Sequence, residues 1–254
     1  MTIISRRNLI KTLQISLPRG APFDLNQLKA LGISAVLAAK YAESGWLVRI
    51  GQGVYAFAGD DWTTHGGIKL LQRRVPGLHV GGKSALALQG VRHNLARRET
   101  LVLWGDARPY TLPEWFIQRY PARYVGARLF NWSQLESLEA KTLHTPPGVT
   151  EGLVVSVPER AVLELLHDVG TKQGVEEAMA LFESLKNPRA AVMGQLLSCC
   201  TSVKTVRLFL TWARETALLD VDALLSIYSI PVGSNKRWIT RLKDGSLLSL
   251  KPHG

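Results

Sequence analysis

Leu9, Ile10, Leu13 and Leu17 recur at the spacing that gathers them on one side of a helix, while Arg6, Arg7, Lys11 and Gln14 fall largely away from it. The pattern predicts a helix over residues 5–17 with Ser5 as its cap. After a Pro- and Gly-containing loop at 18–22, Asp24 is placed to cap a second helix over 25–31. Gly32 supplies the left-handed conformation that a tight helix-to-helix turn needs. Ser34 is placed to cap a third helix over 35–44, stopped by Gly45. The period then changes. Two short apolar runs, 47–50 and 54–57, are split by Gly51-Gln52-Gly53, which predicts a β-hairpin. Helix, turn, helix and hairpin in this order predict a winged helix-turn-helix over residues 1–58, a module suited to binding DNA.

Beyond a turn at 59–61 the patterns alternate. Helices are predicted over 65–75 and 83–89, and strands over 78–80, 100–104, 123–130 and 149–157, with Pro109 and Pro113 in one connection. Pro158 suits the first position of a helix running to 167. Helical spacing continues over 174–185, 188–199 and 202–218. Residues 224–230 and 238–250, the latter split by Asp244-Gly245, read as turn and strand. The expected fold is α+β: an N-terminal winged helix-turn-helix at 1–58 followed by a larger mixed α/β C-terminal domain at 62–254.

Composition narrows the class. At 254 residues and 46% hydrophobic, the chain can bury a core. No apolar run reaches the roughly 18 residues of a membrane span, and residues 9–17 are too interrupted by polar positions for a signal core. The two cysteines, Cys199 and Cys200, are adjacent, which gives no disulfide framework, and no Cys/His spacing suggests zinc. A cytoplasmic location without membrane association is therefore expected. The net charge is +11, and its placement matters more than its size. Residues 1–60 carry seven Lys/Arg against three Asp/Glu, residues 61–130 eleven against four, and residues 131–254 thirteen of each. The basic excess lies wholly in the first half, with the winged helix, and predicts a polyanionic partner.

On the third helix, Leu37 and Tyr41 should face the module's core, leaving Ser34, Ala35, Val36, Ala39, Lys40 and Glu43 outward. Lys40 is the base or phosphate reader there, Ala35 and Val36 can touch thymine methyl groups, and Ser34 can bond a phosphate. Arg49 and Gln52 belong to the wing, where the flanking glycines allow a close backbone approach. Arg6, Arg7, Lys11, Arg19 and Lys29 read collectively as phosphate-neutralising charge. Lys83, Arg92, Arg97 and Arg98 offer an additional polyanion contact. The competing readings are a module for protein contacts and, for Arg49, a solvated surface charge. Catalytic signals are weak: Glu139-Ala140-Lys141 has a Glu-x-Lys form known from metal-dependent nucleases, with Asp106 after an apolar strand, but it sits in a helical pattern. The histidines are scattered, and Gly81-Gly82-Lys83-Ser84 lacks the earlier glycine of a phosphate loop. No catalytic residue, metal or cofactor is expected.

The chain resembles the AbiEi antitoxins of type IV toxin–antitoxin systems, in the branch with an N-terminal winged helix. The resemblance rests on Gly32-Ile33-Ser34, Lys40-Tyr41, Ser44 to Leu47 and Gly53-Val54-Tyr55, then on His79 to Leu86 and Leu88-Gln89-Gly90. Ser156 to Ala161, Ser202-Val203-Lys204 and Gly233 to Arg237 extend it over essentially the whole length. It implies a winged helix that binds inverted repeats in double-stranded DNA at the promoter of its own toxin–antitoxin operon and represses it. It also implies a C-terminal domain that counters a nucleotidyltransferase-like toxin, generally without a stable complex. A module that directly sequesters a toxin, and a metal-dependent nuclease, are the alternatives.

Overall fold

A computed structural model of the chain describes residues 6–92, 100–131, 133, 136–150, 152–241, 245 and 247–250. It divides into two compact units, Met1–Pro76 with Thr111–Pro121, and Gly77–Tyr110 with Ala122–Gly254.

In the first unit, α1 (Arg6–Ser16) is followed by β1 (Phe23–Asp24), α2 (Leu25–Ala30), α3 (Ala35–Glu43), the hairpin β2 (Leu47–Gly51) and β3 (Val54–Phe57), and α4 (Thr64–Arg74). The caps expected at Asp24 and Ser34 are in place. The Asp24 carboxylate accepts from the Asn26 and Gln27 backbone N–H groups, and Gln27 returns a bond to Asp24 N to complete a capping box. Ser34 Oγ accepts from Leu37 N. Leu13 of α1, Leu17 just past its end, Leu28 of α2, Ala38 and Tyr41 of α3 and Leu47, Tyr55 and Phe57 of the wing bury one another around Phe23 and Ile33. Leu37 packs at the margin of this core and Ala38 at its centre. The sheet order is β1-β3-β2, all antiparallel, with a bulge between Arg49 and Gly51 that bends the wing. The two-residue strand β1, absent from the sequence reading, pairs Phe23 with Tyr55. Within the same unit the short helix Glu114–Ile117 packs against β2 and buries Phe116.

The second unit contains β4 (His79–Val80), α5 (Gly82–Leu88) and β5 (Leu101–Trp104), and resumes after the helix just described, which is α6, with β6 (Ala122–Val125). Then come α7 (Glu136–Lys141), β7 (Leu143–His144), β8 (Val155–Ser156), α8 (Pro158–Asp168), α9 (Val175–Glu183), α10 (Ala190–Ser198), α11 (Val203–Glu215) and α12 (Val221–Ile227). The hairpin β9 (Trp238–Arg241) and β10 (Leu247–Leu250) ends it. Five strands form a mixed sheet in the order β6-β5-β4-β8-β7, with β5/β6 and β4/β8 parallel. Helix α8 is buried along nearly its whole length and packs on α5, α9, α10 and α11. The chain is thus a winged helix joined to a mixed α/β unit.

Three expectations change. Residues 224–230 are mostly helix: Asp220 caps α12 through Ala223 N, and Val221 and Leu224 bury the i, i+3 face. The strand expected over 149–157 shrinks to β8, and that expected over 123–130 ends at Val125. Gly152 turns the first of these segments at φ +73°. The proposed cap Ser5, and Asp244, lie outside the described residues.

Candidate nucleic-acid interface

The exposed side of α3 has two parts. Val36, Lys40 and Glu43 point to solvent on one, while Ala35 and Ala39 line a groove of about 750 Å³ whose opposite wall is the wing, with Arg49, Gln52 and Gly53. Small side chains at 35 and 39 create this concavity, because anything longer would fill it. Tyr55 and the start of α2 also line it. Arg49 is exposed, and its Nε reaches its own strand's Gly51 carbonyl at 3.4 Å. The groove also takes in Arg74 at the end of α4 and Pro113 and Trp115 from the later segment. None of these three was singled out in the sequence. Arg74 is one cation among many in the basic first half, and no periodicity links residues 113 and 115 to a wing some sixty positions earlier.

The other expected DNA-contacting residues are placed as follows. Ser34 and Lys40 are exposed, and Ser34 Oγ is engaged as the α3 cap. Lys11 is exposed on α1, and Arg6 and Arg7 open that helix. Arg19 pairs with Asp60 at 2.5 Å and lies over the Phe57 ring, so part of its charge is spent within the module. In the second unit Lys83 pairs with Glu177 at 2.9 Å, and Arg92 is exposed with its Nε on the Ala87 carbonyl. Arg97 and Arg98 lie outside the described residues.

The second unit holds a buried polar centre. Glu164, on α8 and fully buried, receives His79 Nε2 (3.0 Å), the Gly82 N–H (2.9 Å), Ser156 Oγ (2.9 and 3.0 Å) and Arg160 Nε (2.9 Å). Burial alone would push its carboxyl up; the His79 and Arg160 charges and the hydrogen bonds outweigh that and hold it below the usual range. His79 Nδ1 faces the Gly77 carbonyl at 2.7 Å. A Cβ on Gly81 would stand 2.4 Å from Glu164 Oε2 and 2.5 Å from Trp104, so only glycine fits. The Gly-Gly-Lys-Ser turn therefore presents its helix N–H to a carboxylate of its own chain rather than to a phosphate. Nearby, Glu159 is bound by Arg189 through N, Nε and Nη2 at 2.8 to 2.9 Å. Burial pushes the Glu159 carboxyl up, but Arg189 prevails and its pKa is lowered.

Two further motifs do similar work. Lys204 donates to the His167 and Val169 carbonyls at the end of α8. Arg207, 2% exposed, spreads its guanidinium over the carbonyls of Val232, Ser234 and Lys236. A cavity of about 310 Å³ beside the Glu164 centre is lined by Asp106, Arg128 and Asn131 as well as His79 and Arg160. Among the described residues no group of three or more His, Cys, Asp or Glu is placed to hold a metal ion, and the Glu139-x-Lys141 pair lies on helix α7. No helix among the described residues is long and apolar enough to cross a membrane.

A winged helix with a groove between its third helix and wing, joined to a mixed α/β unit, defines the class as a winged-helix protein with a second folded unit. Two family profiles place it more narrowly. Residues 6–97 match the AbiEi antitoxin N-terminal domain of transcriptional regulators, and residues 98–251 match the transcriptional regulator, AbiEi antitoxin, of type IV toxin–antitoxin systems. The chain belongs to the AbiEi antitoxin family. Among solved structures it is similar to the RV2827C protein from Mycobacterium tuberculosis, at 14% identity and a TM-score of 0.54, over 92% of this chain and 88% of that one. That likeness concerns the fold. No curated protein matches the chain.

Proposed function

We propose that the protein is a cytoplasmic, non-enzymatic repressor that binds its own operon's promoter and counters a nucleotidyltransferase-like toxin. The observation that carries the DNA half is the groove between α3 and the wing, with Arg49 and Gln52 on its rim and two alanines on its helical side. In this reading α3 enters the major groove with Val36 and Lys40 toward the base edges, and one strand's backbone lies between α3 and the wing. Lys11, with Arg6 and Arg7 at the start of the same helix, adds phosphate contacts, and Arg19 contributes what Asp60 leaves. Lys83, Arg92, Arg97 and Arg98 are offered by their charge alone as an additional polyanion contact. The paucity of Arg, Asn and Gln on α3 means that shape and backbone contacts carry much of the affinity. The antitoxin half rests on family membership.

The test is binding to a duplex carrying the protein's own promoter. Replacing Lys40 and Arg49 together by Ala is expected to weaken binding about 10- to 100-fold, with a shallower salt dependence. Unchanged affinity at moderate salt would move the interface elsewhere. Rescue of cells from the neighbouring toxin tests the second half: a chain that represses but gives no rescue is a regulator only.

A further inference from the structure

The groove beside α3 has a third wall. The later segment that returns to the first unit is anchored by Phe116, fully buried, and Leu112. Trp62 stacks on Phe116 at 6.5 Å, and Tyr120 Oη donates to the Trp62 carbonyl at 2.7 Å. Gly67 of α4 lets Phe116 and Trp62 come close. Trp115 is a separate matter. It is half-buried, meets Trp62 edge-on at 5.4 Å, and lies against Gly51 of the wing so closely that a Cβ there would stand 2.7 Å from its Cδ1. Phe116 does the anchoring, while Trp115 and Pro113 line the groove.

Arg74 lines the same groove from the end of α4, with its side chain 41% exposed. Its nearest carboxylate is Asp24, but Oδ1 of Asp24 is occupied in capping α2 and Oδ2 stands 3.9 Å from Arg74 Nε, beyond hydrogen-bonding reach. Two guanidinium groups, Arg49 and Arg74, thus line one concavity that an indole side chain also lines. Planar forks suit phosphate, and an indole suits the apolar sides of sugars and bases.

Resting on the DNA reading above, we infer that Arg74 and Trp115 form a further part of the interface: Arg74 binds a backbone phosphate of the strand seated in the groove, and Trp115 packs against that strand's sugars. The winged helix is then completed by a segment that follows the first strands of the next unit in sequence. Specific binding depends on residues outside 1–58.

The experiment measures affinity for the promoter duplex against salt for the full chain and its variants, with thermal unfolding as a folding control. Arg74→Ala is expected to weaken binding about 5- to 20-fold and to lower the slope of log affinity against log salt by about 1, while Arg74→Lys keeps the slope. Trp115→Ala should lose affinity with the slope intact, and Trp115→Phe should keep most of both. Asp24→Asn preserves a good cap while removing the charge beside Arg74, so binding should tighten. If Arg74 served only to pair with Asp24, Asp24→Asn would not tighten binding and Arg74→Ala would leave the salt slope unchanged; either result overturns the assignment. If Arg74→Ala and Trp115→Ala match the parent while Arg49→Ala does not, the interface ends at α3 and the wing and the inference falls alone. Failure of the parent chain to bind any duplex overturns the DNA reading itself.

Discussion

Replacing Glu164 by Gln removes one charge and almost no volume, and its effect follows from the partners. Oε1 receives His79 Nε2 and Arg160 Nε, and Oε2 receives the Gly82 N–H. Whichever end the amide NH2 takes, it faces a donor, and the remaining end is a weaker acceptor for charged groups. Arg160 is 6% exposed, so its guanidinium loses its counter-charge where solvent screens it little. Breaking one side of such a buried pair costs about 3–5 kcal/mol, mostly because the other charge is left uncompensated. For a unit of this size each kcal/mol lowers the melting temperature by about 2–4 °C, so a fall of about 6–20 °C is expected. The assay is urea and thermal unfolding of the full chain followed by circular dichroism. Gly81→Ala should be destabilised too, because its Cβ would meet the same carboxylate at 2.4 Å. A loss of less than about 1 kcal/mol in Glu164→Gln, the size expected of a simple neutral hydrogen bond, would refute the claim that this carboxylate organises the second unit.

Acid should weaken the fold in two stages. Burial lowers the pKa of His65, His144 and His167 from 6.5, so their neutral rings contribute stability above that value that is lost as pH falls below it. Glu159 and Glu164 are depressed from 4.5 and contribute above that value, so a second loss should begin below it; urea midpoints at pH 7.5, 5.5 and 4 would show both, and a midpoint constant over this range would contradict the shifts. Burial pushes the Cys199 and Cys200 thiols up to about 11 and about 12, so alkylation by iodoacetamide at pH 8 should be slow in the native chain and fast in urea. Fast native labelling would show that this end of α10 opens readily.

The winged helix was readable because its signals are local and agree. Asp24 and Ser34 cap, Gly32 turns, and the apolar period shifts from helix to strand within thirty residues. The same locality explains the misses. Strand β1 has only two residues, and it exists because Tyr55 and Val54 are there to pair with it. The α12 cap at Asp220 was legible, but the apolar run from Leu224 onward suggested strand more strongly than helix. The motifs that carried the resemblance in the second half turn out to hold the fold: His79, Gly81, Gly82, Ser156 and Arg160 meet at Glu164, a residue no sequence motif marked.

The sequence by itself determined the order of elements, the caps and turns of the first module, the outward face of α3 and the placement of positive charge, because each depends on neighbours within a few residues. Only the tertiary structure decided which charges are free to act. It tied Arg19 to Asp60 and Lys83 to Glu177, buried Glu164 and Arg207, and brought Arg74 and Trp115 beside a wing that ends long before Trp115 in sequence. An ion pair, a buried carboxylate or a shared groove is set by which distant segments pack together, and no periodicity along the chain records that.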